Sequence, residues 1–240
     1  MITRLFDNRV KALINHILMA SKYDKHYSYW IEFQIRGLPH LHGVFWLEES
    51  YIEKFNKNGE FDDEEVPNLI NDWISCSLDT GDSKLNKIVR EVNVHKHTKS
   101  CRRSNKICRF NFPRMPSDRT LIAKPLDEEN LGKNKCAEMR LKAKNILDKV
   151  KNHIAEMKDD DLETKSLDAI LSSESVGINS EDYHWALSIS TRGDMVILKR
   201  KPNEIWVNNY NQHFMKAWEA NMDIQFCLDS YAVIHTLVTT

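Results

Sequence analysis

Two imidazoles separated by one leucine, His40-Leu41-His42, are the residues of this chain best suited to share an ion. In a strand, residues i and i+2 lie on one face, so both rings can point at a single metal. Just upstream, Trp30, Glu32, Gln34 and Arg36 are in phase with one another, and Tyr29, Ile31, Phe33 and Ile35 form the opposite phase. Pairing even-numbered residues with even-numbered ones puts Glu32 on the histidine face, close to opposite His42. The other register puts Phe33 there, which cannot bind metal, and the sequence leaves the choice open. Two imidazoles and a carboxylate leave coordination positions free, which suits Mg2+ or Mn2+ completed by waters and a phosphate oxygen. Such an ion would polarise a phosphate as a Lewis acid. The plainer alternative is a pair of half-buried histidines bonded to backbone.

A second set is His95, His97, Cys101 and Cys108, two nitrogens and two sulfurs within 14 residues. Zn2+ takes such sets tetrahedrally, although this spacing matches no standard finger. Two buried cysteines beside solvated histidines would read the same way. The stretch also carries Lys99, Arg102, Arg103, Lys106, Arg109, Arg114 and Arg119, with Asp118 its only acid and with Phe110 and Phe112 interleaved. Basic side chains neutralise phosphates and aromatics stack on exposed bases, so single-stranded nucleic acid is the partner this segment suits. Its alternative is a solvated loop with both phenylalanines in the core. Lys199, Arg200 and Lys201 form a weaker basic candidate. His153, His184 and His213 show no evident partner, and Trp206 and Trp218 read as core.

The elements that must position these groups follow from periodicity. Asp7 reads as the N-cap of a helix through about residue 20, with Val10, Leu13, Ile14, Ile17 and Leu18 on one face. Strands over 29–36 and 40–47 flank the Gly37-Leu38-Pro39 turn and predict a hairpin. Residues 48–66 read as a polar loop, and 66–78 and 84–94 as helices. Residues 130–157 read as one long amphipathic helix, and 162–190 as two short helices split near Gly177. A strand is expected over 194–199 and a helix over 208–222, followed by a tail without clear period. The inferred fold class is α+β: one domain over 1–240, a small antiparallel sheet with packed helices, a Cys/His basic segment at 95–119 and a mostly helical insertion at about 120–190.

Composition bounds the rest. Hydrophobic residues make up 41% and charged residues 29%, which describes a folded chain rather than a disordered one. The net charge is −1, so a nucleic-acid surface would have to be a local patch. No apolar run is long enough to span a bilayer, and Met1 to Asp7 lacks a signal-peptide pattern, so no membrane partner and an intracellular location are expected. Five scattered cysteines without a secretory signal favour metal binding or burial over disulfides.

Ile31-Glu32-Phe33-Gln34-Ile35-Arg36-Gly37-Leu38-Pro39-His40-Leu41-His42-Gly43-Val44-Phe45-Trp46 resembles the core of the nuclease domain of Helitron-type replication initiators, which belong to the His-hydrophobe-His (HUH) nucleases. The likeness continues in Cys108-Arg-Phe-Asn-Phe-Pro-Arg114, Arg200-Lys-Pro-Asn-Glu204, Trp206-Val-Asn-Asn-Tyr-Asn211 and Trp218-Glu-Ala-Asn-Met-Asp-Ile-Gln-Phe226, nearly the whole chain. The resemblance implies a metal-dependent endonuclease of a transposable element that nicks single-stranded DNA for rolling-circle replication. Its ion would be held by His40, His42 and an upstream residue matched by Glu32, and a tyrosine would attack the phosphate. It implies a nuclear setting. Similar His and Cys positions recur in the family, which favours zinc at 95–108.

Two departures qualify the resemblance. The family's tyrosine tract starts at Tyr231-Ala232, but its second and third tyrosines fall on Thr236 and Thr240. A threonine hydroxyl titrates far above the value of about 10 for tyrosine, and no base is evident to activate it. Nicking is therefore expected to be impaired. Residual nicking through Tyr231, or a host-adopted DNA-binding or interaction module without catalysis, stand as alternatives. No Gly-x4-Gly-Lys-Ser/Thr occurs, so the family's fused helicase is absent from this chain and a truncated element or a domesticated remnant is expected. The sequence carries no signal for oligomeric state.

Overall fold

The computed structural model describes residues 2–19, 23–33, 38–48, 56–57, 60–61, 65–98, 101, 108, 110–191 and 194–227. It has an α+β fold, with helices packed around small antiparallel two-stranded sheets.

Helix α1 (Ile2–Met19) buries Val10, Leu13, Ile14 and Ile17, the i, i+3, i+4, i+7 stripe of an amphipathic helix. It starts before the expected Asp7 cap; Asp7 lies inside it and pairs with Lys11 one turn on, at 2.8 Å. Strands β1 (Tyr23–Phe33) and β2 (Pro39–Leu47) form the hairpin. Their register sets Trp30 opposite His42, Ile31 opposite Leu41 and Glu32 opposite His40, so even residues pair with even. Residues 34–37 lie outside the described residues, Gly37 of the expected turn among them, and Pro39 already belongs to β2. On the odd face, Leu41 and Phe45 pack against the cluster of Leu13 and Ile17 of α1 with Phe214, on which Met222 and Ile224 also pack. Tyr27 stacks on Tyr29 and Phe45 there, at ring separations of 6.2 and 6.1 Å.

Gly43 lets the Phe45 ring lie across β2. A Cβ at Gly43 would stand 3.0 Å from Phe45 Cε2 and 3.6 Å from Tyr29 Cβ. Gly43→Ala should push the ring aside and lower stability by about 1 kcal/mol, read as a shifted urea midpoint.

After a short ribbon, β3 (Asn56–Lys57) with β4 (Glu60–Phe61), helix α2 (Val66–Trp73) ends four residues or more before the expected limit. Ser75 bridges to Tyr210 instead, and that pairing takes the backbone groups a longer helix would use. Helix α3 (Ser83–Ile88) is capped by Asp82, whose side chain accepts from the Lys84 and Leu85 amides, and runs into a π-turn (Val89–Asn93). These elements, with Leu198, Val207, Tyr210 and Met215, enclose the first core cluster.

Strands β5 (Leu121–Ala123) and β6 (Met195–Ile197) pair antiparallel and bracket the helical stretch between them. That stretch holds α4 (Glu128–Leu131), the long α5 (Lys133–Glu156), α6 (Asp159–Thr164), α7 (Leu167–Leu171) and α8 (Ser180–Ser188). Where periodicity predicted two helices after α5, there are three. Ser166 caps α7, so the chain restarts a helix after Lys165. Their apolar faces form the second core cluster with Val150, Ile154, Tyr183 and Ile205. A 3-10 turn (Pro202–Glu204) precedes α9 (Gln212–Trp218), which is shorter than the helix expected over 208–222 because Asn211 caps it and residues 207 and 210 pair with strand-like segments. Among the described residues no helix is long and apolar enough to cross a membrane.

Candidate metal centres

The even face of the hairpin carries Trp30, Glu32, His40 and His42. His42 Nε2–H donates to Glu32 Oε2 at 2.9 Å, and the Trp30 ring stacks on the His42 imidazole with centroids 5.0 Å apart and planes 11° apart. His42 is thus held from two sides, by a carboxylate and by an indole. The side chains of His42 and Glu32 are 28% and 37% exposed, so the pair is open to solvent on one side. His40 is exposed and faces Glu32 across the strands. The three share a face, but two of them touch: their ligand atoms do not converge as those of the second set do.

His95, His97, Cys101 and Cys108 offer four ligand atoms that all lie within 4.8 Å of one another. It is the one such His/Cys/Asp/Glu group among the described residues, and it could hold a metal ion. His97 Nδ1 lies 3.4 Å from Cys101 Sγ, and His95 Nε2 lies 3.4 Å from Cys108 Sγ. The Thr98 amide donates to Cys101 Sγ at 3.2 Å, and the same Sγ lies 3.3 Å from Thr98 O. Cys101 and Cys108 are 2% and 4% exposed.

Local structure explains why these four meet. The His95 amide donates to Trp206 O at 2.7 Å, and Val94 bridges to Val207, so residues 94–97 run as an extended segment beside 205–207. The Asn111 amide donates to Cys108 O at 3.0 Å and Asn111 adopts φ +58°, a turn that brings Phe112 over His95. The Phe112 and His95 rings stack 4.4 Å apart, and Trp206 meets His97 edge-on at 5.1 Å. Burial first, then His97 and Arg114, holds the His95 imidazolium below its ordinary range, so the ring is neutral and has a lone pair to give.

Of the residues expected to meet DNA, Lys99, Arg102, Arg103, Lys106 and Arg109 lie outside the described residues, as does Tyr231 with Thr236 and Thr240. Arg114 is described. Its guanidinium sits 5.0 Å over the Phe112 ring and 3.9 Å from Asp223, so it ties the arm to the C-terminal segment. Phe110 is 45% exposed beside His95, whereas Phe112 is buried, so the two interleaved aromatics divide between surface and core. Arg200, in the weaker basic candidate, is 4% exposed and is a core residue rather than a phosphate contact.

One constellation gave no sequence signal. His184 Nε2 lies 2.7 Å from Asp118 Oδ1, and its Nδ1 lies 3.3 Å from Ser180 Oγ. The order of groups is that of a hydrolytic relay. His184 is only 5% exposed, however, and its Nε2 is within ion-pair range without the alignment of a hydrogen bond. With Tyr183 OH donating to Pro116 O at 2.8 Å, the set fastens α8 to residues 116–118. His153 likewise has a partner in Ser175, at 3.0 Å.

No family model matches the chain, and no curated protein or solved structure matches it.

Proposed function

We propose that this chain is a Helitron-derived HUH nuclease domain that binds single-stranded DNA and a divalent ion, with impaired nicking. The observation that carries the reading is the even-to-even register of the hairpin, which puts Glu32, His40 and His42 on one face and Glu32 Oε2 at 2.9 Å from His42 Nε2. An octahedral ion with ligands at about 2.1 Å sets cis ligands about 3.0 Å apart, so this pair fits one edge of a Mg2+ or Mn2+ shell. Bound there, the ion would supply Lewis-acid polarisation of a phosphate. The chain's own groups orient it: Trp30 fixes the imidazole plane, and Glu32 sets its tautomer in the free protein. At the second set the donors suit Zn2+, since two thiolates and two imidazoles are a tetrahedral zinc complement. The basic run between and beyond the cysteines, in sequence, supplies phosphate contacts.

The test is incubation of the purified chain with end-labelled single-stranded DNA and Mn2+. Salt-sensitive binding without a covalent adduct is expected, weakened several-fold by Arg102→Ala or Arg109→Ala. An adduct lost in Tyr231→Phe would replace impaired nicking with residual nicking. Absence of any DNA binding at low salt would reject the reading.

A further inference from the structure

We infer that His95, His97, Cys101 and Cys108 form a closed, four-coordinate zinc clasp that fastens residues 95–112 onto 205–207 and leaves no position for a substrate. The inference rests on the assignment of Zn2+ to this cluster and is independent of whether the hairpin binds an ion or nicks DNA.

Distances carry it. With Zn–N near 2.0 Å and Zn–S near 2.3 Å, the N-to-S edge of a regular tetrahedron is about 3.5 Å. Two of the four nitrogen–sulfur separations stand at 3.4 Å, built from different histidines and different cysteines. The remaining separations are capped at 4.8 Å, against tetrahedral edges of about 3.3 Å for N to N and about 3.8 Å for S to S. One ion at the centre therefore reaches all four atoms with small adjustments. A two-iron cluster would put the two sulfurs on one iron and the two nitrogens on the other. That arrangement separates nitrogen from sulfur, opposite to what is found.

Charge agrees. Two thiolates and two neutral imidazoles around Zn2+ make an electrically neutral centre. Such a centre can sit where Cys101 and Cys108 sit, at 2% and 4% exposure, whereas two bare thiolates could not. Four protein ligands also complete the shell, the mark of structural rather than catalytic zinc.

The surroundings show what is clasped. Among the described residues, Phe112 stacks with Trp206, the His95 amide donates to Trp206 O, and the Arg114 amide donates to Ile205 O. Cys101, Cys108 and Phe112 form a small buried apolar cluster with Trp206 against it. Two of the three are the proposed ligands, so an ion bound there ties the cluster's members to one another. Ion binding is then folding energy for the arm.

The experiment uses the full chain. Purified from zinc-supplemented cells, it should retain about one zinc per chain by elemental analysis after dialysis. Replacement by Co2+ should give the intense visible bands of a tetrahedral site with sulfur-to-cobalt charge transfer. Cys101→Ser and Cys108→Ser should each lower Co2+ affinity by 100-fold or more, while Cys136→Ser, at a buried cysteine outside the cluster, should leave it unchanged. On chelation, amide exchange should accelerate at 95–97 and 205–207 while the α5 and α8 amides keep their protection. A zinc content near zero that Co2+ cannot restore, or a weak octahedral spectrum, would overturn the centre. An exchange pattern unmoved by chelation would overturn the clasp. If the serine variants do not fold, the zinc content and cobalt spectrum of the unaltered chain still decide the matter. Loss of DNA binding with the zinc retained would sink the functional reading above and leave this one standing.

Discussion

Arg200→Ala should destabilise the protein by about 3–5 kcal/mol, the cost of breaking a buried charge network. The guanidinium is 4% exposed and donates to Glu204 O, to Val207 O at 2.8 Å and to Asn209 Oδ1 at 2.9 Å. It thereby closes the turn from 200 to 209 around itself. Its main chain meanwhile bridges to Ser117 in both directions, at 3.0 and 2.7 Å. Truncation leaves the buried Val207 O and the partly buried Asn209 Oδ1 without this donor, while Glu204 O keeps only the Val207 amide. It also leaves the Glu204 carboxylate, 3% exposed, without its nearby buried cation. That carboxylate is bound to the Leu78 and Lys201 amides and to Ser77 Oγ, so it cannot simply turn out to solvent. Arg200→Lys should recover only part of the loss, because an ammonium cannot reproduce the planar fork. The neighbouring Lys201 is exposed, and Lys201→Ala should fall within about 0.5 kcal/mol of the parent. Urea unfolding reads all three, and a midpoint for Arg200→Ala within error of the parent would show that the network does not bear on stability.

Glu32→Gln and His42→Ala should each weaken Mn2+ binding by tenfold or more while leaving the fold intact. The two effects separate because of exposure. Side chains 28% and 37% open to solvent contribute little as an ion pair, at most about 1 kcal/mol. As ligands the same atoms are hard to replace. A glutamine oxygen carries no charge, and hard divalent ions select for carboxylate. Loss of His42 removes both a ligand and the face on which Trp30 stacks. Titration calorimetry with Mn2+ measures the change, with near-ultraviolet circular dichroism confirming the fold. Equal affinity across the parent and both variants would remove the hairpin from consideration as an ion site.

What the sequence made legible depended on how local the determining interaction is. The hairpin and the facing of its residues follow from period-2 alternation, but the register was open in the sequence: Glu32 was expected close to opposite His42 and stands opposite His40, with Trp30 opposite His42. The four His and Cys ligands were readable from residue type, because no other stretch brings such donors so close in sequence. Their geometry was not, since it needs Phe112 and Trp206 to fold the arm, and Trp206 is distant in the chain. Helix ends were misplaced where long-range pairing wins: Ser75 to Tyr210 shortens α2, and Asn211 stops α9 from starting earlier. Met222, Ile224 and Phe226 alternate with polar residues and pack inward, so the extended C-terminal segment did have a period, too short to stand out beside a helix. The role of Arg200 was hidden because a basic triplet looks alike whether it faces water or carbonyls. Asp118 and His184 are paired by tertiary packing alone.

Asn93 sets the course of the C-terminal segment. Wholly buried, it donates from Nδ2 to Asn208 O and accepts at Oδ1 from the Met222 amide, while Ile224 is held by Asn209 O. The backbone is therefore anchored up to 224, with Met222 and Ile224 packed on the cluster of Leu13, Ile17 and Phe214 that Leu41 and Phe45 also meet. One buried asparagine thus decides that the last described residues join the core on which the odd face of the hairpin rests.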